Sequence, residues 1–127
     1  MGDGVLTSNG ITTLNANANA DTFTVAGGTL TVNGALTNNS AAINVDAGTL
    51  AADGTIAAAS IDVAQGATLT TEEAERLNGG VALTNDGTVS LGGNETIGDL
   101  SGAGTITNNG NDLAVTQTSD QTFSGTL

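Results

Sequence analysis

Three sets of apolar residues return through this chain at one common interval, and that shared period limits what it can fold into. The first set, Leu30, Leu50, Leu69, Val89, Ile106 and Phe123, advances by 20, 19, 20, 17 and 17 residues. The second, Phe23, Ile43, Ile61, Val81 and Leu100, advances by 20, 18, 20 and 19. The third, Leu14, Leu36, Ile56, Leu77, Ile97 and Leu113, advances by 22, 20, 21, 20 and 16. A fixed period in this range is the signature of a repeat architecture. Phrases such as Phe23-Thr24-Val25, Leu30-Thr31-Val32 and Ile61-Asp62-Val63 alternate with period 2, which marks short strands with one buried face. Between them lie turn pairs: Gly27-Gly28, Asn33-Gly34, Asp53-Gly54, Asp86-Gly87 and Asn109-Gly110. An antiparallel meander also suits such turns, but gives no reason for the same aliphatic to return at every third strand. The period predicts an all-β chain, a parallel β-helix (β-solenoid) of about six three-strand rungs of 17–22 residues, spanning 1–127 as one unit.

Such a fold accounts for an otherwise meagre apolar content. Leu, Ile, Val and Phe fill only about 22% of the chain, just above the roughly 20% below which a chain of high net charge reads as disordered. Stacked rungs spaced about 4.8 Å apart need only one or two inward aliphatics per strand. Proline, which would remove a ladder donor from an interior rung, is absent. One stretch departs from the pattern. Residues 70–80, from Thr70 through Glu72-Glu73-Ala74-Glu75-Arg76 to Gly80, carry helix formers, early acids and a Thr70…Glu73 capping-box spacing. They predict a short helical insertion at a corner, with Leu77 reaching back to the core.

Composition excludes most chemistry. Thirteen acids face one base, Arg76, giving a net charge of −12, and a single cation leaves no electrostatic footprint for nucleic acid. His and Cys are both lacking, so imidazole-activated nucleophiles, thiolate chemistry, zinc centres and disulfides are out of reach. Paired carboxylates could cleave glycosides, but the aromatic platforms and basic groups of such clefts are missing. No stretch is apolar for long enough to span a bilayer as a helix. The opening Met1-Gly2-Asp3-Gly4 has neither a basic nor an apolar signal region. The expectation is a protein with no catalytic residues, no cofactor and no dedicated metal site, its Asp residues being scattered among corners rather than set in calcium-binding tandem motifs.

The run Ile97-Gly98-Asp99-Leu100-Ser101-Gly102-Ala103-Gly104-Thr105-Ile106, followed by Asn111-Asp112-Leu113-Ala114-Val115 and Thr122-Phe123-Ser124-Gly125, resembles the autotransporter-associated β-strand repeat. Leu100, Gly102, Gly104, Leu113, Phe123 and Gly125 fall on its recurrent positions; the clear match covers about a quarter of the chain. The resemblance implies a right-handed parallel β-helix from a large bacterial surface or secreted protein, an adhesin-like passenger or its stalk. It implies an extracellular location, with the export signal outside this chain, and no catalytic residue.

Two functional expectations follow. The first is a structural spacer whose partners are the rest of a longer parent chain, or other copies of itself, joined end to end, with a host or matrix surface as a further candidate partner. The second is a binding module for ice or an extracellular glycan. If the first apolar set points inward, Thr29, Thr31, Thr49, Thr68, Thr70, Thr88, Ser90, Thr105 and Thr107 share one flat outward face, interrupted at Ala51.

Overall fold

The computed structural model describes residues 4–127 and shows short strands joined by tight corners, with no helix among the described residues. Met1, Gly2 and Asp3, which the sequence reading includes in the 1–127 unit, lie outside them. In chain order the strands are β1 (Val5–Ser8), β2 (Ile11–Leu14), β3 (Thr22–Val25), β4 (Thr29–Val32), β5 (Ala35–Thr37), β6 (Ala42–Val45), β7 (Thr49–Ala52) and β8 (Thr55–Ala57). There follow β9 (Ser60–Val63), β10 (Thr68–Thr71), β11 (Ala82–Asn85), β12 (Thr88–Leu91), β13 (Glu95–Ile97), β14 (Leu100–Ser101), β15 (Thr105–Thr107) and β16 (Leu113–Val115).

Every pairing between these strands is parallel and joins like positions of successive rungs. One face is the six-stranded sheet β1-β3-β6-β9-β11-β14, and a second is β2-β4-β7-β10-β12-β15. The third is discontinuous: β5 pairs with β8, β13 pairs with β16, and single bridges tie Ala18 to Leu36 and Ile56 to Leu77. The chain is therefore a β-solenoid of about six turns.

The core lies inside the coil as columns of stacked side chains. On the second face Leu30, Leu50, Leu69, Val89 and Ile106 stack in unbroken register, each buried. Leu50 and Leu69 are thus direct neighbours in adjacent rungs, as the period requires. On the first face Leu6, Phe23, Ile43, Ile61, Leu83 and Leu100 form the equivalent column. Leu83 takes the place expected for Val81, which is buried at the preceding corner.

Other members shift for the same reason: corners vary in length, and spacing alone does not say which of two nearby apolar residues meets the rung below. Leu14 stacks on Val32, not on Leu36, whose bridge partner is Ala18. Leu113 lies opposite Glu95, and Ile97 opposite Val115. Phe123 bridges to Gly102 instead of stacking on Ile106, whose N–H–facing neighbour in the next rung is Thr126.

Residues 70–80 form no helix. Thr70 and Thr71 complete β10, turns follow, and Leu77 is bridged to Ile56 and buried as expected. Backbone groups that a helix would satisfy internally are taken by neighbouring rungs: Glu72 N–H donates to Ala52 O at 3.2 Å, Glu75 N–H to Asn94 O at 2.8 Å, and Arg76 O accepts from Ile56 N–H at 2.6 Å. A stretch of this length has weak helical stability of its own, so the ladder wins.

Two kinds of corner glycine are needed. Gly48 sits at φ +76°, where a Cβ is strained. Gly54 has no such dihedral, but a Cβ there would come within 1.8 Å of the Gly34 carbonyl oxygen of the rung below. Gly54→Ala is expected to destabilise the fold by about 1–3 kcal/mol, the usual range for overpacking, whereas Gly80→Ala, with open space around it, should cost less. Chemical denaturation of the two variants checks the contrast.

Candidate functional site

The second face carries the candidate binding residues. Its inward column fixes the outward ones by alternation. One outward column runs Thr29, Thr49, Thr68, Thr88, Thr105, beginning at Ile11 and continued by a bridge to Thr126. The other runs Thr13, Thr31, Ala51, Thr70, Ser90, Thr107. All nine residues expected on this face lie there, and Ala51 is the one interruption within β4 to β15. No strand of this face contains a charged residue.

The third face holds a feature that the period did not reveal. Glu95 is 1% exposed and lies where the rung at 72–79 has no strand for β13 to pair with. Its carboxylate takes over the acceptor role: Oε1 accepts from Arg76 N–H at 2.8 Å and Oε2 from Leu77 N–H at 3.1 Å. Burial pushes the Glu95 carboxyl above the usual carboxylate range, against the pull of those two backbone donors. The signal was present: alternation backwards from buried Ile97 puts Glu95 on the core side.

Beside it an open groove of about 360 Å³ has Leu36, Ile56 and Leu77 among its lining, with Arg76 and Glu75 at its edge. Arg76 Nη2 pairs with Glu73 Oε2 at 3.1 Å, and its buried Nε has no partner among the described residues. Glu73, Glu75 and Glu95 surround this one cation, so the local potential disfavours a second anion. Among the described residues no group of three or more acids is placed to share a metal ion.

A third cluster fastens the last rung. Asp99 Oδ1 accepts from Thr118 N–H at 2.6 Å and Oδ2 from the Ser119 hydroxyl at 2.5 Å. The Ser119 hydroxyl, and then the Thr118 amide, hold the Asp99 carboxyl below its ordinary range. This is a side-chain staple where strand pairing stops, and its partners are all internal.

No protein-family model matches the chain, and neither a curated protein nor a solved structure does. The functional reading therefore rests on the residues themselves.

Proposed function

We propose that the chain is a non-catalytic structural segment, a spacer within a bacterial cell-surface or secreted protein of the adhesin-like, autotransporter type. The observation that carries this reading is the direction of its hydrogen bonding. Rungs bond to rungs along one axis; among the described residues β1 and β2 at one end and β16 at the other each pair with one strand only, while β14 and β15 are covered by the bridged segment 122–126. Such edges accept further rungs by strand addition, so the fold extends along its axis and supplies length. The resemblance of residues 97–125 to the autotransporter-associated repeat supports the same reading. So does the scatter of the acids, which leaves the surface solvated without assembling a reaction centre.

Axial joining is the testable part. At net charge −12, copies repel side by side, and added salt screens that repulsion. Sedimentation and electron microscopy of the isolated chain are expected to show linear, end-to-end association that grows with salt. A salt-insensitive monomer at high concentration, with slow amide exchange in β1, β2 and β16, would overturn the proposal.

A further inference from the structure

We propose that the second face is an ice-adsorption surface, its paired Thr columns forming a lattice of hydroxyls and methyls that orders water in ice-like rows. The columns stay in register although the rungs between their members measure 20, 19, 20 and 17 residues. Corners absorb all of the variation, and the spacing on the face does not change. Hydroxyl-bearing positions therefore repeat about 4.8 Å apart from rung to rung and about 6.6 Å apart along each strand, the first of these close to a repeat of the oxygen lattice in ordinary ice.

General strand preference for Thr does not explain this. The first face is equally stranded, yet its outward columns read Val5, Thr22, Ala42, Ser60, Ala82 and Thr7, Thr24, Asn44, Asp62, Thr84, Ser101, broken by alanine, asparagine and aspartate. Thr84 there is hydrogen-bonded to Ser101 at 3.1 Å. On the second face, by contrast, Ser90 is the only one of the nine hydroxyls with a side-chain partner among the described residues, accepting from Asn109 at 3.1 Å. The branched Thr side chains are also stiff, so the array is ordered before anything binds.

The occupant follows from charge and area. A face without charge, on a chain of −12, offers nothing to a cationic partner. The two phenylalanines are Phe23, inside the coil, and Phe123, outside the strands of this face, so a sugar ring finds no stacking platform. Four-residue strands and five inter-rung steps give roughly 300 Å², well under the roughly 800 Å² per partner of a stable protein interface. A second copy or another folded protein is therefore a poor fit. Ice is neutral and presents the same contact at every lattice position, so a small periodic face suffices.

The test is thermal hysteresis and single-crystal ice growth with the full chain, independent of whether it associates axially. The expected result is faceted crystals and a hysteresis gap. Thr68→Tyr and, as a smaller change, Thr88→Asn should abolish both, while Thr24→Tyr on the first face should leave both intact, with circular dichroism showing each variant folded. Crystals growing as in an equimolar inert protein would overturn the proposal. So would hysteresis that survives both second-face changes, or binding on a glycan panel without any effect on ice.

Discussion

Ile61→Asp is expected to abolish cooperative folding near room temperature or to lower the melting temperature by more than about 15 °C, an effect of roughly 4 kcal/mol or more. Ile61 is fully buried, stacked between Ile43 below and Leu83 above in the central column of the first face. Aspartate there loses the apolar contacts and puts a carboxylate among aliphatics. No cation can reach it, because the one base in the chain, Arg76, belongs to the third face and already pairs with Glu73. The neighbouring Asp62 supplies the control, since it occupies the next position of the same strand and is exposed. Asp62→Ala should change stability by less than about 0.5 kcal/mol, as for ordinary surface positions. Thermal melts followed by circular dichroism separate the two. Equal melting of Ile61→Asp and the parent would mean that the inward assignment of this column is wrong.

The architecture was legible because in a parallel coil like stacks on like. Leu30, Leu50, Leu69 and Val89 can return at one interval only if each rung repeats the last, and no local propensity imitates that. Exact register was less legible. Val81 and Leu83 both satisfy the spacing arithmetic, and the choice falls to the corner geometry around Asn78, whose carbonyl holds the Val81 N–H. Phe123 keeps the expected interval of 17 but sits on Gly102, because the segment before it is held by Asp99 instead of by strand pairing. The residues of 70–80 favour a helix locally, but local preference does not include the acceptors that the rungs above and below supply. The Thr face, by contrast, was readable residue by residue, since it needs only the inward column and alternation. Glu95 was not legible, because a lone acid after Gly92-Gly93-Asn94 looks like part of a solvated corner.

Glu95→Ala is expected to cost about 2–4 kcal/mol near neutral pH. The change strands two buried backbone donors, the N–H groups of Arg76 and Leu77, each at about 1–3 kcal/mol; part of that is offset because a charge no longer has to be kept out of water. Glu95→Gln should lie between parent and Ala, since one amide oxygen can serve one donor while the amide NH₂ confronts the other. The pH dependence is the sharper check. Burial raises the Glu95 pKa in the folded chain above its ordinary value of 4.5, so the folded state holds this proton more tightly than the unfolded one. Its linkage contribution is therefore fully present below that ordinary value and lost as pH rises through the folded pKa. Asp99, held low, runs the other way: its contribution is present above its ordinary 3.8 and lost as pH falls through its folded pKa. Relief of repulsion among the remaining acids also favours mild acid, but it is common to parent and variant. The melting temperature of the parent minus that of Glu95→Gln should thus grow as pH falls from neutral toward about 4.5. A difference that stays flat across that window would show that the Glu95 carboxylate is solvated, and that something else holds the interrupted third face together.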